Sequence, residues 1–115
     1  MASDITSVAA VVNVTTAEAL DELIASTDKL VIDFYKFNCQ PCKAVSLLFD
    51  RYAATNPGVV LAKVSLDDVG VECFKTYGVR STPTISFFRA GEQVSSSVGF
   101  MTTTMFESMI DTFFL

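Results

Sequence analysis

The sequence predicts an α/β sandwich with a parallel central sheet and an antiparallel edge hairpin. Three observations carry this. Short β-branched runs alternate with stretches of helical periodicity in the order β-α-β-α-β-α-β-β-α. The run Leu30-Val31-Ile32-Asp33-Phe34-Tyr35 is almost continuously apolar, as expected of a strand covered on both faces. Finally, Thr84 to Arg89 and Gln93 to Val98 are separated only by Ala90-Gly91-Glu92, a tight turn that makes them a hairpin.

Val8 to Val14 reads as the first strand. Thr15-Thr16-Ala17-Glu18 then fits a capping box, with Thr15 as N-cap and Glu18 three residues on. The helix it opens carries Ala19, Leu20, Leu23 and Ile24 on one stripe and ends near Ser26. After the buried strand, apolar residues recur at helical spacing from Cys42 to Ala54, through Val45, Leu48, Phe49 and Tyr52, and Asn56-Pro57-Gly58 stops that helix. Val59 to Leu66 is a further strand. Asp67 or Asp68 caps a short helix running to Tyr77, with Gly78 at its end. Pro83 leads directly into the hairpin. Thr104 and Glu107 form a second capping box for a C-terminal helix that faces Phe106, Met109, Ile110 and Phe113 inward. Phe113-Phe114-Leu115 reads as core packing and helix end.

At 115 residues the chain has the size of one domain, spanning 1–115. Half of its residues are hydrophobic, enough for a core without staples, and ten Phe with no Trp say what fills it. The net charge of −5, with no run of Lys or Arg, argues against a nucleic-acid partner. No stretch reaches the roughly 18 apolar residues of a membrane span. No Lys or Arg precedes Lys29, so a secretory signal with a basic start is not expected and the cytosol is the expected compartment.

Chemistry concentrates in Phe37-Asn38-Cys39-Gln40-Pro41-Cys42-Lys43. The residues allow three readings of its cysteine pair. A structural zinc site wants four Cys or His ligands, and Cys39, Cys42 and Cys73 with no His leave the set short. A structural staple across so short a loop constrains the unfolded chain little, and a reducing compartment does not favour it. A reactive dithiol has a reason for each residue. The pair ends a buried strand and opens a helix, so Cys39 meets the unsatisfied N–H groups and positive end of the helix, which favour a thiolate. Pro41 sits just inside the helix start, where its missing N–H costs little. Cys42 in the first turn is close enough to resolve a mixed disulfide.

The stretch VIDFYKFNCQPCK, with VRSTPTISFF and Gly99 beyond it, resembles the thioredoxin family across nearly the whole chain, from about Val11 onward. The resemblance implies a thioredoxin fold, a central mixed five-stranded sheet flanked by four helices. It also implies dithiol–disulfide exchange that reduces protein disulfides, a role in cellular redox homeostasis and electron transport. By this resemblance Cys39 is the attacking cysteine and Cys42 its resolving partner. Asp33, six residues before Cys39, matches the family's buried aspartate. A carboxylate inside LVIDFY is costly to ionise, so its pKa is expected to rise, and it would act as a proton relay for Cys42 rather than bend into solvent. Lys63, alone among apolar residues in VVLAKVSL, matches the lysine near that aspartate and is expected to pair with it across adjacent strands. The alternative is a lysine that snorkels outward. Pro83 matches the family's cis-proline, leaving the Thr82 backbone to pair with an extended substrate, and Gly99 gives close approach on the same surface.

The chain departs from the family's pattern at several positions. Asn38 stands where a tryptophan precedes the first cysteine, Tyr35 where another is frequent, Gln40 where glycine is usual, and Leu47 where a proline kinks the helix. The substrate-facing set Asn38, Gln40, Pro41, Thr82, Pro83 and Gly99 is therefore partly altered, while the dithiol machinery is intact. Cys73 reads as a small buried hydrophobe. The expected protein is a monomeric disulfide reductase of the cytoplasm. It needs no cofactor or metal, takes protein disulfides as substrates, and is served by a thioredoxin reductase or equivalent donor. The alternatives are an isomerase or oxidase of the same fold, and a non-catalytic interaction module.

Overall fold

A computed structural model describes residues 11–55 and 58–115. In chain order the elements are β1 (Val12–Val14), α1 (Ala17–Ser26), β2 (Lys29–Tyr35), α2 (Gln40–Thr55), β3 (Val60–Ser65), α3 (Leu66–Val69), α4 (Val71–Thr76), β4 (Thr84–Arg89), β5 (Glu92–Val98) and α5 (Thr103–Phe114). The five strands form one mixed sheet in the order β1-β3-β2-β4-β5. β1, β3 and β2 run parallel, while β4 is antiparallel to β2 and to β5. The parallel core and edge hairpin expected from the sequence are both present. The part of the first strand expected at Val8 to Ala10, and Asn56 and Pro57 of the expected helix stop, lie outside the described residues.

β2 lies at the centre because its side chains are apolar on both faces, so only a strand with helices above and below satisfies it. Val31 points with Val45, Phe49, Leu61, Phe87, Phe106 and Ile110 into one core layer, under α2 and α5. Leu30, Ile32 and Phe34 enter the other with Leu20, Ile24, Val64, Phe74 and Phe88, under α1, α3 and α4. Phe rings supply much of the contact: Phe106 packs on Phe49, Tyr52 and Phe87, and Phe34 meets Phe74 edge to face. Met109 and Phe113 are only partly buried against this core, while Phe114 is buried and Leu115 exposed.

The start of α2, with Cys39 before it and Pro41 just inside, is as expected, whereas three other helix starts differ by where a hydroxyl finds an N–H. α1 is capped by Thr16, whose Oγ1 accepts from Ala19 N–H at 3.1 Å, and not by Thr15. Glu18 then falls one place short of the capping-box position. α5 is capped by Thr102, which accepts from Met105 N–H, so Thr104 and Glu107 lie inside the helix. The expected third helix is capped by Ser65, not by Asp67 or Asp68. It is also two helices, giving five and not four around the sheet. Gly70, at φ 90°, leaves the helical region between α3 and α4, a conformation that a side chain would resist.

Candidate active site

β2 delivers its end, Tyr35, to the turn that carries the cysteines. Lys36 and Phe37 continue the chain, and Asn38 takes a left-handed φ of 57°, which Asn tolerates better than most residues. This reverses the chain into α2. The turn is held from outside by Asp67, whose Oδ2 accepts from Phe37 N–H at 2.7 Å and from the Ser65 hydroxyl. Sequence alone suggests a helix cap for Asp67; its contact with a residue 30 positions away has no local signal.

Cys39 stands immediately before the first helical residue and Cys42 in the first turn, with Pro41 between them and Gln40 exposed. The pair is closed as a disulfide, with Cα atoms 5.2 Å apart. Both cysteines are buried, Cys39 at 7 % and Cys42 at 4 % exposure. The Thr82 hydroxyl approaches Cys39 Sγ at 3.9 Å. The Thr82–Pro83 peptide is cis, as the resemblance implies. Pro83 C=O accepts from Gly99 N–H at 2.8 Å, which ties Gly99 to the same loop. A Cβ built on Gly99 meets nothing within 4 Å, so the chain itself does not crowd that position. The glycine answers instead to its φ of 91°.

Asp33 is fully buried on the face of β2 that packs under α2, between Ile85 of β4 and Lys63 of β3 in register. Neither of its carboxyl oxygens has a hydrogen-bond partner among the described residues. Burial pushes its pKa from the ordinary 3.8 up to about 7; the Lys63 charge opposes the rise and the Asp50 charge adds to it. The expected Lys63–Asp33 pair is not made. Lys63 Nζ instead donates to Ser46 Oγ at 2.6 Å and to Asp50 Oδ1 at 2.8 Å, both on α2. The half-exposed Asp50 outcompetes the buried carboxyl because pairing there leaves the carboxylate partner near solvent. Sequence reasoning missed Asp50 and Ser46. Their spacing of four, on the face of α2 turned to β3, was the available signal.

A cleft of about 380 Å³ opens beside the dithiol, lined by Tyr35, Asn38, Cys39, Cys42, Ser46 and Lys63 among others. Burial, and the Asp68, Asp33 and Asp67 charges after it, push the Tyr35 phenol up. Cys73 stays out of this site. It is a free, buried cysteine of α4, its thiol pushed up by burial and then by Asp21 and Glu18, as suits a packing residue. Among the described residues no group of three metal-ligating side chains occurs, and no helix is long and apolar enough to cross a membrane.

The family model described as Thioredoxin matches residues 11–112. The thioredoxin of Mycoplasmoides gallisepticum is 33 % identical over 89 residues, covering 77 % of this chain and 88 % of that protein. That of Mycoplasma pneumoniae is 34 % identical over 91 residues, covering 79 % and 88 %. Among solved structures, a single-site mutant of a thioredoxin from Halobacterium salinarum superposes with a TM-score of 0.83 at 27 % identity, covering 91 % of each chain. Mitochondrial thioredoxin 3 of Saccharomyces cerevisiae, in its oxidized form, gives 0.78 at 28 % identity, covering 94 % and 97 %. Sheet order, the cysteine pair at the head of α2 and these matches agree: the chain belongs to the thioredoxin family of thiol–disulfide oxidoreductases, with Cys39 and Cys42 as its redox pair and protein-disulfide reduction as its activity.

Proposed function

We propose that Cys39 attacks the client disulfide and Cys42 resolves the product. The Cys39 thiolate displaces one client sulfur, giving a mixed disulfide and a client thiolate that takes up a proton. Cys42, deprotonated by Asp33, then attacks Cys39 Sγ and releases the second client sulfur. Two electrons and two protons pass to the client, and the Cys39–Cys42 disulfide remains. The observation that carries this reading is the placement of the pair. Cys39 occupies the cap of a 16-residue helix, where the unsatisfied N–H groups favour a thiolate, and Cys42 lies one turn inside it. Equilibration of the pair against glutathione, with thiol trapping, tests it. A potential near about −270 mV fits a reductase, whereas one near about −180 mV makes the protein an isomerase or oxidant and overturns the direction of electron flow proposed.

Asn38, Gln40, Pro41, Thr82, Pro83 and Gly99 form the proposed substrate-facing rim. The contact between the Thr82 hydroxyl and Cys39 supports it, as does the Gly99–Pro83 hydrogen bond on the same loop. Lys63 acts on the proton step through the charge balance around Asp33. Lys63→Gln removes the favourable charge and should raise the Asp33 pKa. Asp50→Asn removes a repulsion and frees Lys63, and should lower it. The rising limb of the pH–rate profile should move up in the first variant and down in the second, read by carboxyl NMR and by rate. Shifts of the same sign in both would sink this role for Lys63.

The protein is further proposed to act as a single-domain monomer in the cytoplasm. A reducing compartment suits a dithiol that must be returned to its reduced form after every turnover. Its substrates are protein disulfides, and its electrons come from a thioredoxin reductase or equivalent donor, with no bound cofactor.

A further inference from the structure

The sequence shows no basic cluster, yet the fold makes one. One cleft is lined by the dithiol, and a second reaches it through Thr82. The first, of about 380 Å³, contains Lys36, Lys43 and Lys63 in its wall. The second, of about 500 Å³, runs from Thr82, whose hydroxyl is 3.9 Å from Cys39 Sγ, along α4. The buried Phe74 and Val79 give it an apolar floor, the more exposed Leu66 and Val71 add apolar wall, and Lys36, Lys75 and Arg80 line it as well. Five of the chain's eight Lys and Arg residues therefore line these two clefts. Among the described residues no Asp or Glu lines either, in a chain whose net charge is −5.

The charges differ in how free they are. Lys63 is committed to Asp50, and Lys75 lies 3.7 Å from Glu72 in a mostly exposed pair of little strength. Lys36, Lys43 and Arg80 make no ion pair among the described residues. All three are exposed, and Lys36 borders both clefts. Lys29 and Arg51 are likewise without an ion pair among the described residues, but they line neither cleft; the three free cations beside the nucleophile give this acidic protein a local surface that attracts carboxylates. The apolar floor beyond Thr82 adds room for a side chain next to the client cysteine.

We propose that this dithiol is built for client segments in which carboxylates flank the reducible disulfide. An extended strand would lie across Thr82, place an apolar side chain over Leu66 and Phe74, and set its acidic residues against Lys36 and Arg80. This rests on the reductase reading above and names its substrate class.

The test uses the full chain, reduced beforehand, and follows single-turnover reduction of three disulfides. Two are synthetic peptides with the same intramolecular disulfide, flanked by Glu in one and Gln in the other. The third is the small neutral hydroxyethyl disulfide. At low salt the Glu peptide should react about tenfold faster than the Gln peptide, and the ratio should approach one as salt screens the charges. Lys36→Glu and Arg80→Glu should each reduce or invert the preference. Lys29→Glu, which changes net charge equally at the opposite end of β2, should leave it in place. Equal rates for the two peptides at low salt, or a loss of preference in Lys29→Glu as large as in Lys36→Glu, overturn the proposal. Failure to reduce any of the three disulfides overturns the reductase reading itself.

Discussion

Replacing Cys39 by Ser is expected to abolish protein-disulfide reduction, with a loss of at least about 10³-fold in turnover. A serine hydroxyl is not ionised near neutral pH, and oxygen does not exchange with a disulfide. The protein should stay folded, because the replaced atom is nearly isosteric and its buried surroundings, including the Thr82 hydroxyl at 3.9 Å, accept a polar group. Cys42→Ser should behave differently. Cys39 still attacks, but no thiol is left to resolve the product, so a mixed disulfide with the client should accumulate and appear by mass under non-reducing conditions. The two variants separate a redox catalyst from a binding module of the same fold. Trapping by Cys39→Ser and not by Cys42→Ser would reverse the roles given to the two cysteines, and retained turnover in Cys39→Ser would remove the pair from catalysis.

Much of this site was legible because the sequence signals it locally. Cys39, Pro41 and Cys42 declare a helix start by spacing, and the apolar run before them declares a central strand. Pro83 declares a strand entry, and its cis bond followed from the family resemblance. What escaped depended on distant partners. The Asp67 carboxylate reaches Phe37 N–H across 30 residues, so it looked like a helix cap. Lys63 and Asp33 are in register on adjacent strands, which made a direct pair the natural expectation. The α2 surface supplies a better-solvated carboxylate at Asp50, and no rule of spacing ranks the two. The helix caps missed by a residue or two for a related reason. Thr15 and Thr16 are adjacent with the same hydroxyl, and only the fold shows that Thr16 accepts from Ala19 N–H. The cations around the dithiol are the largest case. Lys36, Lys43, Lys63, Lys75 and Arg80 are scattered along the chain, and only the meeting of β2, α2, β3, α4 and the Thr82 loop assembles them.

Asp33→Asn should make the protein more stable at alkaline pH and slower as a catalyst. The carboxyl is fully buried, its oxygens lack hydrogen-bond partners among the described residues, and its folded pKa is about 7 against an ordinary 3.8. The sign follows from proton counts. Below pH about 4 the group is protonated in both folded and unfolded chains, and it contributes no pH dependence. As pH rises from there to about 7, the unfolded chain ionises while the folded one holds its proton, so stability falls. Above about 7 both are ionised and the full cost remains. A gap from 3.8 to about 7, at about 1.36 kcal/mol per pH unit, makes that cost about 4 kcal/mol. Asparagine avoids the ionisation cost but still buries an amide, so a net gain of about 2–4 kcal/mol at pH 8 is expected. Urea unfolding from pH 4 to 9 reads it directly. The difference between variant and wild type should be small at pH 4, grow through neutrality and level off above it. If Asp33 is the base proposed for Cys42, the same substitution should slow the resolving step by about 10²-fold. A stability difference that does not change with pH would mean that Asp33 ionises normally, and the proton relay would fall with it. The outcome expected here makes Asp33 a residue kept at the expense of stability, which is understandable only if the buried proton is used.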